Sequence, residues 1–457
     1  MLVPVRLLFS LPLLATGCVH AGDDGDSSPG TALDVPYVGE HAELSVTSPA
    51  GRAWKRGLVH LHSPYSHDAC DGNGMPDGGI NEECLQHQRD GLCATRMDFA
   101  FMTDHPDFAA DQVYGDMLLP REDDELLVDG KRMTCADGHV VTLMPGIEDE
   151  LMPIGLNRQV SEDSDENSRI YNDSDQEAFT EDIAAGALVM QAHTEGQDID
   201  TLLARQAMGL TGTEMFNLHA MVDPTKREED LGLDAYGYLD ELGPFITGTT
   251  NAEPDLGFLG FYQQQDVSIE RWDALNAVGL VVGTAGTDAH ENAIPSLMSD
   301  GERVDSYRRG LRWFTTVLLA KSDSLADVDE AVASRRAFIA FEILGTPRGF
   351  DFHLETDAGE VEMGGDSAAT GKLVVTCPTL ASGSPRGEGK PDISVIVYKD
   401  GQEFQQGCGE WPVERGVYRV RVDMVPNHLT EFLGSVPTNL IKSYPWIYSG
   451  AIRVAME

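Results

Sequence analysis

Positive charge is scarce in this sequence. Its 457 residues include 32 Lys and Arg against 76 Asp and Glu, which gives a formal net charge of −44. A strongly negative surface repels phosphate backbones and anionic headgroups, because bringing like charges together costs free energy. The composition therefore excludes nucleic acid as a partner and indicates an acidic, well-solvated surface.

Long hydrophobic runs are also lacking, since the apolar stretch at the N-terminus is too short to span a bilayer. Residues 1–18 have one early arginine, an apolar segment and small residues before Cys18, which predicts a secretory signal peptide. The ending Ala15–Cys18 resembles the lipobox of bacterial lipoproteins, which implies acylation of Cys18 and a membrane tether. Residues 19–35 predict a flexible linker. We therefore expect an exported protein, periplasmic or at the cell surface.

Cysteine pairs with C-x-x-C spacing are missing, which argues against a zinc–thiolate site, the alternative to disulfides. Six cysteines follow Cys18, and an even number in an exported chain favours disulfide bonds. Their positions predict a Cys377–Cys408 bond. Two further bonds are expected among four cysteines whose three connectivities stay open: Cys70, Cys84, Cys93 and Cys135.

Short apolar runs alternate with helical stretches through the first three quarters of the chain, as in "MDFAFMTDH" and "SIERWDALNAVGL". Polar residues follow the carboxyl ends of these runs, which is typical of parallel strands in an α/β barrel. We assign this barrel to residues 36–345. Alternating strands separated by Gly, Pro and Asp then predict an antiparallel β-sandwich over 346–457, with a hairpin turn at Asp400–Gly401.

A long polar insertion, "DACDGNGMPDGG", has two interpretations. Its oxygen-bearing side chains loosely resemble a calcium-binding loop. The spacing does not match an EF-hand, so we favour a turn tied by a disulfide. The calcium alternative would use Asp68, Asp71, Asn73 and Asp77.

Histidines are concentrated at the predicted strand ends. In "HLH", His60 and His62 lie on one side of a strand, because side chains repeat every two residues, and both can bind one cation. Further strand ends carry "TDH", "GIE", "QAH" and "TDAH". Joint placement of imidazoles with the carboxylates of Glu148 and Asp288 predicts a metal site.

The motifs H-x-H, T-D-H, G-I-E, A-H and T-D-A-H, in this order between Gly57 and Ala340, resemble the polymerase-and-histidinol-phosphatase (PHP) superfamily. This resemblance implies a metal-dependent phosphoesterase on a distorted (β/α)7 barrel. The segment "DVDEAVASRRAFIAFE" and the strands after it are similar to the branch of the superfamily that includes carbaryl hydrolase. That branch implies hydrolysis of carboxylic esters, carbamates or amides as an alternative.

The PHP resemblance also implies three metal positions. The first would be bound by His60, His62, Glu148 and Asp288. The second would use Glu148 as a bridge together with His193 and His219. The third would be bound by His67, His105 and His290, with Asp68 as the reserve for His67.

Other roles follow from the same resemblance. Asp104 would orient a ligand, and Glu214 and Asn217 would line the pocket. Catalytic roles fall to Glu148, Asp104 and His193. We expect two or three divalent ions, Zn, Mn or Fe, holding a hydroxide that attacks a small-molecule substrate. The remaining alternative is a non-catalytic, metal-stabilised surface protein, and the sequence does not predict the oligomeric state.

Overall fold

The structure, a computed structural model, describes residues 41–455 except 43, 45–47, 49, 247–249, 385–386 and 437. The predicted signal peptide with Cys18 and the linker 19–35 lie outside the described residues. All described residues belong to one compact unit. The division into segments 36–345 and 346–457 stays a prediction.

The strands of the first part of the chain are, in order, β1 (Ala53–Leu61), β2 (Phe99–Asp104), β3 (Glu125–Leu127), β4 (Gly130–Thr134), β5 (Val140–Ile147), β6 (Met152–Ile154), β7 (Leu188–Gln191), β8 (Gly212–Asn217), β9 (Val282–Gly286), β10 (Thr315–Ala320) and β11 (Ala337–Ala340). The helices are α1 (Ala69–Gly72), α2 (Glu82–Ala94), α3 (Pro106–Ala109), α4 (Ser164–Tyr171), α5 (Gln176–Ala184), α6 (Ile199–Met208), α7 (Leu218–Val222), α8 (Pro224–Glu229), α9 (Leu239–Ile246), α10 (Phe258–Phe261), α11 (Asp266–Val278), α12 (Tyr307–Trp313) and α13 (Leu325–Ala333).

The strands of the last part are β12 (Pro347–Arg348), β13 (Asp351–Thr356), β14 (Gly359–Glu362), β15 (Asp366–Ser367), β16 (Lys372–Thr376), β17 (Thr379–Leu380), β18 (Asp392–Lys399), β19 (Gln402–Gln406), β20 (Gly409–Pro412), β21 (Gly416–Val425), β22 (Tyr444–Ser449) and β23 (Ile452–Val454).

A large mixed sheet organises the first part. β1 is parallel to β2 and β2 to β5, while β7, β8 and β9 form a second parallel set. The short strand β6 joins the two sets through antiparallel pairing with β5 and β7. Every residue of β2 is buried, as expected for a parallel strand covered on both faces. The mixed α/β class is therefore confirmed, and the strict (β/α)7 barrel stays a prediction.

The segment that follows β9 lies next to the end of β1. The amide of Asp288 donates to the carbonyl of His60 at 3.2 Å, and the amide of His62 donates to the carbonyl of Ala289 at 3.3 Å. These bonds place the polar residues that follow two distant strands against each other. The carboxyl ends of both parallel sets consequently surround one region.

The last part of the chain extends the large sheet. β11 pairs with β22, which pairs with β21, and β21 pairs with β18; all three pairings are antiparallel. β13, β14, β16 and β20 form a separate four-stranded antiparallel sheet. The predicted hairpin is present, since Asp400 and Gly401 have φ of 51° and 76° between β18 and β19. Antiparallel strands are thus confirmed here, and the sandwich arrangement stays a prediction.

Three disulfide bonds join the six predicted cysteines. The predicted Cys377–Cys408 bond is confirmed. The four cysteines whose connectivity was left open form the bonds Cys70–Cys84 and Cys93–Cys135. The zinc–thiolate alternative is wrong, because all six sulfurs are paired. The bonds are compatible with an extracellular protein. Among the helices that the structure describes, none is long and apolar enough to cross a membrane.

Candidate metal centre

The carboxyl ends of the parallel strands carry the candidate ligands. His60 lies near the end of β1, Glu148 directly follows β5, and His193 and Asp288 lie two residues past the ends of β7 and β9. His219 lies in α7, which begins where β8 ends. Because these ends meet in one region, the structure brings together side chains that are far apart in the sequence.

Four groups of side chains, three of which overlap, each have ligand atoms that lie within 4.8 Å of one another. Two of the groups share His62, and two share His105. The groups are His60, His62 and Glu148; His193, His219 and Asp288; His62, His105 and His290; and His67, Asp68 and His105. All nine metal ligands that the sequence predicts occur in these groups.

The first group contains two imidazoles that face each other. The Nε2 atoms of His60 and His62 are 2.9 Å apart. Their Nδ1 atoms lie 2.7 Å from Glu214 Oε1 and 2.6 Å from Ser66 Oγ. When Nδ1 donates in both rings, two lone pairs oppose each other unless a proton or a cation lies between them. This donor set fits a divalent cation.

Asp288 links the first two groups. Its Oδ1 lies 3.4 Å from His60 Nε2 and 3.3 Å from His62 Nε2. Its Oδ2 lies 3.4 Å from His193 Nε2 and 3.1 Å from His219 Nδ1. The sequence assigns bridging to Glu148, whose Oε1 is 3.5 Å from His193 Nε2. Asp288 lies between the same two groups, so its carboxylate also has the geometry of a bridge.

The remaining groups form the outer side of the cluster. Asp68 Oδ1 lies 3.4 Å from His290 Nε2 and 3.8 Å from His105 Nε2. Both Asp68 Oδ1 and His290 Nε2 are buried atoms without a hydrogen-bond partner. His67 is half exposed, and its Nδ1 lies 2.9 Å from Asp107 Oδ2. Asp68, which the sequence offers as the alternative to His67, therefore lies close to His290 as well as to His105.

Glu148 has a similar unsatisfied oxygen. His105 Nδ1 lies 2.9 Å from the Glu148 carbonyl and also 2.9 Å from Glu148 Oε2. The hydrogen bond goes to the carbonyl, and Oε2 is buried without a hydrogen-bond partner. Buried polar atoms without partners are costly. Cations bound within the groups that contain Glu148, Asp68 and His290 would satisfy these atoms.

The electrostatics separate ionised from neutral groups. Burial alone would raise the pKa of Asp288, but His60 and His219 outweigh it and hold that pKa well below its usual range. Burial lowers the pKa of His60, yet Asp288 and Glu214 outweigh burial and raise it to about 9. Burial, with His290 nearby, holds the pKa of His62 well below its usual value. A carboxylate and a neutral imidazole, both suited to metal binding, are therefore present at neutral pH.

Two of the ligand residues have an unusual backbone. His193 and Asp288 both have φ of 48°, in the left-handed region that residues with a Cβ avoid. Such conformations cost about 1–3 kcal/mol and persist where surrounding contacts hold them. Here they turn the side chains of two strand ends toward the cluster.

Asp104 contacts the candidate ligand His62 indirectly, through a serine. It accepts hydrogen bonds from the Ser63 amide at 2.5 Å and from Ser66 Oγ at 3.1 Å, and Ser66 Oγ contacts His62 Nδ1. Burial raises the pKa of Asp104 to about 6, although Ser63 opposes this. The chain Asp104–Ser66–His62 therefore orients His62. The serines were not predicted, although "HLHSPYSH" places both beside the histidines.

The calcium alternative for the polar insertion does not fit the geometry. Asp71 is occupied by Arg303, at 2.6 and 3.0 Å. Asp68 accepts from Asn292 at 3.0 Å and faces the histidine cluster instead. The Cys70–Cys84 bond closes the insertion, in agreement with the favoured disulfide-tied turn.

Glu214 does not line an open pocket, contrary to the expectation from the sequence. It is completely buried behind His60, and Asn217 donates to it at 2.8 Å. Glu195 was not predicted at all, yet its Oε1 lies 3.3 Å from His193 Nδ1. Carboxylates beside the second nitrogen of a ligand histidine fix its tautomer.

No protein-family model matches the sequence. No curated protein matches it either. Among solved structures, the chain is similar to a two-domain protein from Bacteroides vulgatus ATCC 8482, which is described as containing a predicted PHP-like metal-dependent phosphoesterase. The two sequences are 13% identical, and the match covers 89% of this chain and 98% of that chain with a TM-score of 0.38. The chain is also similar to PsfC from Pseudomonas syringae PB-5123, with 12% identity, coverage of 62% and 90%, and a TM-score of 0.33. At these scores neither likeness carries an argument about function.

Proposed function

We propose that this protein is a metal-dependent hydrolase that cleaves phosphate esters of small molecules. The observation that carries the proposal is the convergence of four ligand groups: three are connected through His62 and His105, and Asp288 of the fourth faces His60 and His62. Shared ligands indicate neighbouring cations, as in multinuclear hydrolases. The preference for phosphate esters rests on the order of the motifs, which resembles the PHP superfamily.

Glu148, Asp288 and His62 have the protonation states that metal binding needs, whereas His60 and His105, whose pKa values are raised to about 9 and about 10, must release a proton when a cation binds. Glu148 is ionised at neutral pH, because His105, His60 and His193 outweigh burial and lower its pKa. Asp288 is ionised for the same reason, and His62 is neutral. When bound, divalent cations supply the Lewis acidity that makes water nucleophilic near neutral pH and neutralises charge on the attacked group. The chain itself supplies the ligands and holds their orientation.

Location and small-molecule specificity belong to the same proposal. An exported enzyme, periplasmic or at the cell surface, agrees with the three disulfide bonds. A lipid on Cys18 would tether it to the membrane. The strongly negative charge disfavours polyanionic substrates such as nucleic acids.

The test combines metal analysis with a turnover screen. Protein stripped with a chelator is reconstituted with Zn, Mn or Fe, and its metal content is measured by elemental analysis. Four substrates are then compared: p-nitrophenyl phosphate, bis(p-nitrophenyl) phosphate, p-nitrophenyl acetate and 1-naphthyl N-methylcarbamate. We expect about two or three metals per chain and turnover of a phosphate ester that the chelator abolishes.

Matched variants assign the result to the cluster. Asp288→Asn should reduce both metal content and turnover, whereas Asp200→Asn, an exposed aspartate of α6, should change neither. Turnover of the acetate or carbamate alone would support the alternative hydrolase. One metal or none, without turnover, would overturn the multinuclear enzyme.

A further inference from the structure

Glu214 in β8 uses both carboxylate oxygens on two candidate ligands. Its Oε1 lies 2.7 Å from His60 Nδ1. Its Oε2 accepts from the backbone amide of His193 at 2.9 Å and from Asn217 Nδ2 at 2.8 Å. The side chain has 0% exposure. One buried group thus contacts residues at the ends of β1 and β7.

The contact with His60 fixes which nitrogen is free. A carboxylate oxygen accepts hydrogen bonds, so His60 Nδ1 donates to Glu214, and the proton that His60 gives up when it binds a cation is the one on Nε2. Nε2 of His60 then presents its lone pair toward His62 and Asp288. Charge-assisted hydrogen bonds of this kind are about twice as strong as neutral ones, which restricts rotation of the ring.

The contact with His193 acts through the backbone. His193 has φ of 48° and ψ of 51°. Its amide donates to Glu214 Oε2, which offsets part of the cost of this left-handed conformation. The side chain of His193 is thereby directed at Glu148 and Asp288.

A glycine makes room for the carboxylate. At Gly286, the last residue of β9, a Cβ would overlap Glu214 Oε1 and approach Asn217 Nδ2. Any larger residue here would displace Glu214. Since Asp288 lies two residues further on, the strand that carries this ligand also forms the space for Glu214.

We propose that Glu214, accommodated by Gly286, is a positioning residue that aligns His60 and His193 for metal binding. The inference rests on the proposed function, because it requires that these histidines bind metal. Loss of such an outer carboxylate typically reduces metal affinity about 10–100-fold. We expect a decrease in this range without loss of the fold.

The test uses Glu214→Gln and Zn²⁺ as the probe. A glutamine cannot satisfy all three donors: with its oxygen toward His60, its amide group opposes the donors of His193 and Asn217; in the flipped orientation it opposes the His60 proton. Zn²⁺ affinity is measured by competition with a chromophoric chelator, and the melting temperature is measured on metal-free protein. We expect at least about 10-fold weaker binding of Zn²⁺.

Glu342→Gln is the matched control. Glu342 is also completely buried, but it pairs with Arg56 at 2.7 and 2.8 Å and has no contact with the candidate ligands. This variant should lower the melting temperature and leave Zn²⁺ affinity unchanged. The comparison separates a positioning role from general destabilisation.

Gly286→Ala provides a second route, because it displaces the carboxylate without removing it. It should weaken Zn²⁺ binding as Glu214→Gln does, and Glu214→Asp should restore part of the affinity. If neither variant folds, ¹⁵N NMR of zinc-loaded wild type decides: a proton on His60 Nδ1 supports the inference, and a proton on Nε2 overturns it. Wild-type affinity in folded variants would overturn the inference alone, whereas wild type without bound Zn²⁺ would overturn the proposed function as well.

Discussion

Replacing Glu148 by Gln tests the centre of the cluster most directly. The change keeps the size of the side chain and removes its negative charge. Glu148 groups with His60 and His62, and its carboxylate also lies beside His105 and His193. The substitution therefore removes one carboxylate that faces several candidate ligands at once.

The pKa of His105 gives the magnitude in the metal-free protein. Burial lowers this pKa, but the neighbouring Glu148 outweighs burial and raises it from 6.5 to about 10. The difference corresponds to about 5 kcal/mol of interaction. With glutamine, we expect the pKa of His105 to fall toward 6.5, with Asp68 still acting to raise it.

The effect on stability depends on pH in a defined direction. Because the folded pKa of His105 is raised, its stabilising contribution is complete below the unfolded value of 6.5 and disappears as the pH rises through about 10. Metal-free Glu148→Gln should consequently lose more unfolding free energy at pH 6 than at pH 10. Urea denaturation at both pH values measures this difference, and NMR titration of the imidazole follows the pKa itself.

In the metal-loaded protein, Glu148→Gln should lower turnover of the substrate found in the screen at least about 100-fold. Loss of a residue that only hydrogen-bonds to a ligand typically lowers metal affinity or activity about 10–100-fold, and loss of a direct ligand should lower activity more. Glu162→Gln, an exposed control, should retain full activity. Lost metal would indicate a defect in assembling the site, and retained metal with low turnover would indicate a defect in activating water. Full metal content with wild-type turnover, or a His105 pKa that stays near 10, would refute the reasoning.

Two further predictions concern stability. Replacing Cys377 and Cys408 by serine should lower the free energy of unfolding by about 4 kcal/mol, because the bond closes a loop with a sequence separation of 31; urea denaturation measures this. Asp182→Asn should raise the melting temperature more at pH 8 than at pH 5. Burial, aided by Glu181, raises the pKa of Asp182 from 3.8 to about 7, so the folded state loses stability as the pH rises from 3.8 to about 7, by about 4 kcal/mol in total.

Each of these predictions has its own check. Mass spectrometry of the unreduced digest should show the linked cysteine peptides, and two free thiols there would contradict the first. Asp200→Asn, which is exposed, should show no pH-dependent change in melting temperature. An Asp182→Asn variant with the same melting temperature as wild type at pH 8 would contradict the second.

The sequence was most informative where local pattern determines position. Alternation within a strand predicts that His60 and His62 share a side, and the carboxyl ends of parallel strands meet, so the other histidines could be expected nearby. The structure places all seven histidines that were predicted as ligands in groups of candidate ligands. The class of fold followed from the same alternation of apolar runs and helices.

Contacts between distant segments could not be read from local pattern. Asp71 looked like a calcium ligand until the fold placed Arg303 beside it. Glu214 matched a motif, but its contact with both His60 and His193 depends on how three strands pack. The orientation of Asp68 depends on a turn in which Cys70 and Asp71 have positive φ. Such outcomes depend on tertiary structure, which no short window of sequence contains.

The pairing of β11 with β22 determines when the large sheet is complete. Phe338, Ile339 and Ala340 pair with Ser449, Tyr448 and Ile447, which follow much later in the sequence. Until those residues emerge during synthesis, the apolar strand β11 is an open edge whose amides and carbonyls can template pairing with another chain. β22 therefore covers an edge of β11, and a chain shortened before residue 444 would leave that edge open to pairing with another chain.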